Sequence, residues 1–298
     1  MPAFSRTLAA RGFRARHIKD PWLFLLTGKI DGPVIVIPVY NEARSLRMPR
    51  FIEDVAAKRY GAAAVLHPTR IAALISDKIA TNRALSEAGV LMPSLVEGRA
   101  DRQVFSNERD QSGARANVVE AGEATDPSRY NAELIDTVHE HDSRRYFVCL
   151  RAACVGQIPC SITVRARPVE DKNPSVHLGN TPRNPELLNW LYESLVRDRR
   201  REIEDLCARV ERRLGLGFYG HDIMPERGTG KLYLAETGFK FDDLGYGGRM
   251  HSIADSLTFA DEFSEAAIER AADALISEAR RTGALLAVTP ERAETSEP

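Results

Sequence analysis

The sequence has few cysteines and no long apolar segment. Its four cysteines include no C-x-x-C pair, and three of them (Cys149, Cys154 and Cys160) fall in one apolar stretch, so we expect reduced, buried thiols. No apolar run approaches the roughly 18 residues that a membrane span needs, and the apolar patch at residues 22–26 is too short for a secretory signal. These absences predict a cytoplasmic protein with no membrane partner.

The chain also lacks a net charge of either sign. Its 41 basic and 42 acidic side chains give a formal charge of -1, so the whole-chain field provides no general attraction to nucleic acid. Lysine is scarce, with seven residues against 34 arginines, a bias that genomic composition explains as readily as function. Any polyanion must therefore bind at a local site.

Length and composition indicate an ordinary globular protein. At about 150 residues per domain, 298 residues correspond to about two compact units. The early pattern is strand at 33–40, helix to about residue 60, strand at 62–68, and a helix from an N-cap at Ser76 to a stop at Gly89, which predicts an α/β unit. The later pattern predicts a hairpin around residues 111–116, two strands turning at 156–157, helices within 186–214, a last helix at about 261–281, and no internal repeat.

Three motif matches are too weak to assign a function. PVYNEA (38–43) resembles the opening strand of nucleotide-sugar glycosyltransferases, but the chain contains no D-x-D pair to hold the metal on a diphosphate. GLGFYG (215–220) fits G-x-G-x-x-G, yet it leads from a predicted helix into a strand, the reverse of a dinucleotide site. GTGK (228–231) lacks the first glycine and the hydroxyl residue of a P-loop. We interpret the last two as turns.

A predicted hairpin brings two carboxylates together. FYGHDIM and KLYLAET are β-rich runs on either side of the turn ERGTG, and a register centred on Thr229 places Asp222 opposite Glu236. Their Cβ atoms would then lie about 5 Å apart, on a face that Met224, Leu232 and Leu234 would otherwise make apolar. Like charges so placed repel unless a cation lies between them, and paired carboxylates suit Mg²⁺ bound jointly with phosphates. A slipped register or a solvated face is the alternative.

The order of elements from about residue 65 to residue 238 resembles the ATP-grasp superfamily, in particular its glutamyl-ligase and D-alanine-ligase-like members. The most specific pieces are D-K followed by a leucine and G-V-x-x-P in SDKIATNRALSEAGVLMP (76–93), and the final D-to-E hairpin. The resemblance implies an α/β and α+β fold in which a Rossmann-like leading domain precedes two lobes that clasp ATP between antiparallel sheets. The expected boundaries are 1–75 and 76–285, with the two lobes dividing near 135–145 and a disordered tail at 286–298.

The resemblance also implies an activity and its residues. Members of the superfamily join a carboxylate to an amine through an acyl phosphate, so we expect a C–N ligase that uses ATP and Mg²⁺ on a small molecule or peptide and that could form a homodimer. By position, Lys78 would neutralise the ATP phosphates, and Arg151 would contact the triphosphate or the acyl phosphate as the catalytic arginine. Backbone groups near Glu133 and Ile135 would read adenine. Asp222 and Glu236, already paired by the hairpin, would hold Mg²⁺.

Two departures from the superfamily pattern leave a second interpretation open. The superfamily usually has a second phosphate-binding lysine in the strand before the small-residue loop. In this chain that strand, VFSNE, has Ser106 and Asn107 instead, with Arg102 and Arg109 nearby. The superfamily has an asparagine two residues after the metal-binding Glu, but this chain has Gly238 there, and we consider Asp242 or Asp243 as a replacement ligand. A catalytically degenerate nucleotide-binding protein is therefore the alternative, and a glycosyltransferase is a distant one.

Overall fold

The computed structural model describes residues 2–15, 34–38, 47–60, 64–110, 116–239 and 244–284. Its α-helices are α1 (Pro2–Ala10), α2 (Arg47–Tyr60), α3 (Thr69–Ile75), α4 (Lys78–Glu87), α5 (Pro185–Tyr192), α6 (Arg200–Leu214), α7 (Leu244–Met250) and α8 (Glu265–Arg281). Its strands are β1 (Ile35–Val36), β2 (Ala64–Val65), β3 (Val104–Asn107), β4 (Asn117–Val119), β5 (Tyr130–Glu133), β6 (Val138–His141), β7 (Arg144–Val155), β8 (Ile158–Pro168), β9 (Phe218–Pro225) and β10 (Leu232–Gly238). Among these residues no helix is long and apolar enough to cross a bilayer.

The leading strands are parallel, as the strand-helix-strand pattern predicted. Ile35 pairs with Ala64 and Val36 with Val65, while α2 makes the connection between them. The predicted N-cap at Ser76 is wrong, because Ser76 is the C-cap of α3. The side chain of Asp77 caps α4 by accepting hydrogen bonds from the backbone N–H groups of Ile79 and Ala80. A carboxylate caps the exposed N–H groups at least as well as a hydroxyl, and its negative charge also interacts favourably with the positive end of the helix dipole. Gly89, with φ +76°, follows the end of the helix as predicted.

Two antiparallel sheets follow. A small sheet has the order β4-β3-β5, and its β3–β4 hairpin is the one predicted from the sequence. In the large sheet the long strand β7 pairs with β8 along one edge and with β6 and then β9 along the other, and β9 pairs with β10. The turn between β7 and β8 falls at 156–157, as predicted. Residues 134–137 form the connection between the two sheets.

The main hydrophobic core lies on one face of the large sheet. Alternate residues of β8, namely Ile162, Val164 and Ala166, are fully buried there against α5 and α6. The GLGFYG segment joins α6 to β9, which confirms that it leads from a helix into a strand. Gly217 within it must be small, since a Cβ would lie 2.4 Å from the side chain of His67.

Candidate active site

Four strands of the large sheet place four polar residues in one cross-strand row. Thr163 of β8 pairs with Arg151 of β7, Arg151 pairs with Asp222 of β9, and Asp222 pairs with Glu236 of β10. Residues directly opposite each other project from the same face of a sheet, so all four side chains share the face that lies away from the main core. The opposed positions of Asp222 and Glu236 are those that the hairpin predicted.

A β-bulge near Ala235 creates this arrangement. Leu234 pairs with Ile223, but the next recorded pair is Glu236 with Asp222, so the strand contains one extra residue. The bulge also reverses the alternation of β10, which places Leu232 and Leu234 on the buried face. The prediction that these two leucines share the face of the carboxylates is therefore wrong, since a simple alternation does not include the extra residue.

Lys78 extends the row from a different element. It is the first residue of α4, and its Nζ lies 3.9 Å from Oε2 of Glu236. Its Nζ also donates to the carbonyl of Asp110, while its backbone N–H donates to the carbonyl of Arg109. Arg109 in turn forms an ion pair with Asp77, at 2.7 Å. The chain after β3 is thus fastened to the start of α4, and only 7% of the Lys78 side chain is exposed.

The charged side chains of the row follow one another as a cation, two anions and a cation: Arg151, Asp222, Glu236 and Lys78. Nη1 of Arg151 donates to Oδ1 of Asp222 at 2.9 Å, and Nη1 of Arg165 lies 4.0 Å from the same oxygen. Burial alone would raise the pKa of Asp222, but the two guanidiniums outweigh it and hold that pKa below its ordinary value. Asp222 is consequently an anion at neutral pH.

The residues predicted to read adenine lie where the two sheets join. Glu133 ends β5, its backbone N–H donates to the carbonyl of Ser94, and its side chain forms an ion pair with Arg102 at 2.9 Å. Ile135 lies in the connection and is buried. Their role as a nucleotide hinge stays a prediction.

A different arginine contacts Ser106, one of the two residues that stand where the resemblance implies a second lysine. Arg102 and Arg109 form the ion pairs given above with Glu133 and Asp77. Arg129, just before β5, instead donates through Nε to the hydroxyl of Ser106 at 2.9 Å. No sequence signal singled out Arg129, because its approach to Ser106 depends on the pairing of β3 with β5.

Arg165 is a second residue that sequence reasoning missed. The strict alternation of Ser161, Thr163, Arg165 and Arg167 with apolar residues in β8 could have revealed it, because that pattern places all four on the face of Arg151. Gly238 pairs with Gly220, so no side chain is present at the position of the superfamily asparagine. Asp242 and Asp243 lie outside the described residues.

The donor set fits the groups that the resemblance implies. Two opposed carboxylates, 27% and 30% exposed, offer the hard oxygen ligands that Mg²⁺ prefers. Lys78, Arg151 and Arg165 provide positive charge beside them, which suits the phosphates of ATP.

Among the comparisons with known proteins, the solved structures are the ones that match. No protein-family model matches the sequence, and no curated protein matches it either. Among solved structures, the ATP-grasp ligase PsnB with precursor peptide PsnA2 and AMPPNP is 15% identical, with a TM-score of 0.54 and 94% of each chain covered. PsnB with a phosphomimetic minimal precursor, Mg and ADP is also 15% identical, with a TM-score of 0.53 over 93% of this chain and 92% of that chain.

A third similar structure is a RimK domain protein ATP-grasp from Sphaerobacter thermophilus. It is 14% identical over 92% of this chain and 94% of that chain, with a TM-score of 0.49. The fold assignment depends on the PsnB structures, whose TM-scores are higher. The protein has the ATP-grasp fold, and the resemblance that the sequence predicted is confirmed at that level.

Proposed function

We propose that the protein is an ATP-dependent ligase that joins a carboxylate to an amine through an acyl phosphate. The observation that carries the proposal is the cross-strand pair of Asp222 and Glu236, with Arg151 beside one carboxylate and Lys78 beside the other. Phosphoryl transfer depends mainly on positioning and on neutralising charge, and this row supplies groups for both.

Each side chain of the row has a distinct proposed role. Asp222 and Glu236 hold Mg²⁺, which when bound neutralises charge on the transferring phosphoryl group. Lys78, fixed by its bond to the carbonyl of Asp110, binds the ATP phosphates. Arg151 contacts the triphosphate and then the acyl phosphate, where its planar guanidinium can bind two oxygens at once. The backbone near Glu133 and Ile135 reads adenine.

The substrate is proposed to be a carboxylate on a small molecule or a peptide. PsnB, which shares the fold, was crystallised with a precursor peptide and AMPPNP. A peptide with a free carboxylate is therefore the first substrate class to test.

The test combines ADP release with trapping of the acyl phosphate. Hydroxylamine offered with ATP, Mg²⁺ and a panel of amino acids, carboxylic acids and acidic peptides should give a hydroxamate with at least one acid. Glu236→Gln keeps the size and removes the charge, and it should lower ADP release by at least about 100-fold. Glu140→Gln, which changes an exposed side chain on the edge strand β6 of the same sheet, is the matched control and should leave the rate unchanged.

A catalytically degenerate nucleotide-binding protein is the second candidate. The observation that favours it is Gly238, which gives the proposed metal site no third side-chain ligand on β10. It predicts that ATP raises the melting temperature while no acid yields ADP or hydroxamate, and that Glu236→Gln binds ATP as well as the wild type. Stabilisation by UDP-sugars and not by ATP would instead support the glycosyltransferase alternative.

A further inference from the structure

Three buried side chains on the opposite face of the large sheet converge on one point. Cys154 of β7, Cys207 of α6 and His221 of β9 each place a ligand atom within 4.8 Å of the other two. All three side chains are 0% exposed. In the part of the chain that the structure describes, this is the one cluster of three or more cysteine, histidine and carboxylate side chains with a spacing that suits a metal ion.

His221 is oriented toward the sulfur atoms by its neighbour. Nδ1 of His221 lies 2.8 Å from Oγ1 of Thr237, its cross-strand partner on β10. In the tautomer whose Nδ1–H donates to that hydroxyl, Nε2 presents a lone pair, and within the described residues Nε2 is buried with no hydrogen-bond partner. An unsatisfied buried polar atom costs about 1–3 kcal/mol, so a ligand at Nε2 would recover that loss.

Nδ1 of His221, the ring nitrogen that would not bind the metal, has the hydrogen bond that metal-binding histidines usually show. Such a histidine donates its other N–H to a protein oxygen, which fixes the tautomer and the ring orientation. Thr237 provides that oxygen for His221. The two sulfur atoms lie 3.5 Å apart, close enough for both to bind one ion. A disulfide between Cys154 and Cys207 would use the sulfurs but would leave Nε2 of His221 unpartnered.

We propose that Cys154, Cys207 and His221 form a binding site for a thiophilic metal ion with a filled d shell, Zn²⁺ or Cu⁺. Thiolate and imidazole together select these ions over Mg²⁺ and Ca²⁺. Zn²⁺ would balance two thiolates to zero net charge in the core, after each thiol loses its proton to solvent, whereas Cu⁺ accepts three ligands without a fourth. The ion would tie α6 to strands β7 and β9, whose other face carries Arg151 and Asp222.

The site is closed, so the experiment loads the ion during folding. The full-length protein is unfolded with a reductant and refolded with Zn²⁺ in one arm and, without oxygen, with Cu⁺ in the other, then desalted against a chelator. Bound metal per chain is measured by mass spectrometry. The wild type should retain about one ion per chain in at least one arm, and Cys207→Ala should retain less than about 0.1.

Two controls separate this site from other thiols and from the carboxylates. Cys149→Ala removes a buried thiol of the same strand β7 that lies outside the cluster, and it should keep the ion. Glu236→Gln should also keep it, because the proposed Mg²⁺ site is on the other face. If Cys207→Ala fails to fold, the wild type refolded with Co²⁺ should still show a sulfur-to-cobalt charge-transfer band.

Three results would overturn the proposal. The first is a wild type that retains no ion in either arm and gives no charge-transfer band with Co²⁺. The second is a folded Cys207→Ala variant that retains the ion. The third is a thiol titration of freshly purified, denatured protein that finds two free thiols instead of four, with Cys154 and Cys207 shown to be linked by peptide mapping.

Discussion

Arg151 and Asp222 are cross-strand partners joined by a 2.9 Å hydrogen bond, so a proposed phosphate-binding cation and a proposed metal-binding anion neutralise each other within the protein. Mg²⁺ at Asp222 would replace Arg151 as its counter-charge, and a phosphate at Arg151 would replace Asp222. Binding of either ligand thus frees the charged side chain that the other ligand uses, which lowers the electrostatic cost of breaking the Arg151–Asp222 ion pair when the second ligand binds. Binding of metal and nucleotide should therefore be strongly coupled.

Arg151→Gln should change the affinities for Mg²⁺ and for ATP in opposite directions. Without the guanidinium, Asp222 has less positive charge beside it, so Mg²⁺ alone should bind about tenfold more tightly, while ATP in the presence of Mg²⁺ should bind at least about tenfold more weakly. Isothermal titration of Mg²⁺ and of MgATP measures both. Arg145→Gln, exposed on the same strand, should change neither affinity. Equal weakening of both ligands would contradict the exchange of partners.

The pH dependence of stability should contain a contribution from Asp222. Its pKa is lower in the folded protein than in the unfolded chain, so the stabilisation is present above the unfolded value of about 3.9 and is lost as pH falls through the folded value. The difference in unfolding free energy between wild type and Asp222→Asn should therefore shrink between about pH 6 and pH 3. Urea unfolding at several pH values measures it, and a constant difference would show that Asp222 titrates normally.

Lys78→Met should weaken ATP much more than AMP. The ammonium is aimed at phosphates, so its loss should raise the dissociation constant for ATP by about 10- to 100-fold and that for AMP by less than about threefold. Met fills much of the same volume, which matters because the side chain is only 7% exposed. Lys58→Met, exposed on α2, is the control. Equal losses for ATP and AMP, measured by equilibrium binding, would indicate a role in folding alone.

A buried carboxylate outside the site should matter for stability. Glu262 accepts hydrogen bonds from the Tyr192 hydroxyl at 2.7 Å, from Arg200 and Arg270, and from the backbone N–H of Ile162. Glu262→Gln leaves the guanidiniums without their anion and should lower the free energy of unfolding by about 3 kcal/mol. Glu265→Gln, exposed at the start of α8, should change it by less than about 0.5 kcal/mol. Chemical denaturation compares the two.

Local patterns were sufficient to predict much of the candidate site. The turn ERGTG between two β-rich runs predicted the β9–β10 hairpin, and a register centred on Thr229 named Asp222 and Glu236 as partners. Near the turn the actual pairing, Leu234 with Ile223, is one position off that register, and the bulge near Ala235 restores the predicted pair. Lys78 followed from the resemblance, since D-K opens a helix in a recognisable context. The face of the sheet on which Leu232 and Leu234 lie could not be predicted, because a bulge depends on how a strand fits its neighbours and not on its own alternation.

Contacts between distant segments account for what the sequence pattern did not indicate. Arg129 reaches Ser106 across the β3–β5 pairing, and Arg165 lies near Asp222 only because β8 and β9 both flank β7. In each case the two residues are at least 23 positions apart. No local pattern encodes such a distance.

The sequence by itself determined the ordinary globular composition, the helices α4, α5, α6 and α8, and the β3–β4, β7–β8 and β9–β10 hairpins, because these depend on periodicity and turn chemistry within a few residues. The tertiary structure alone decided that Arg165 joins Arg151 beside Asp222. It also decided that Cys154, Cys207 and His221 meet beneath them, since β7, α6 and β9 come together only when the large sheet packs against its helices. Charge balance and ligand geometry depend on distances in space, which a linear pattern does not contain.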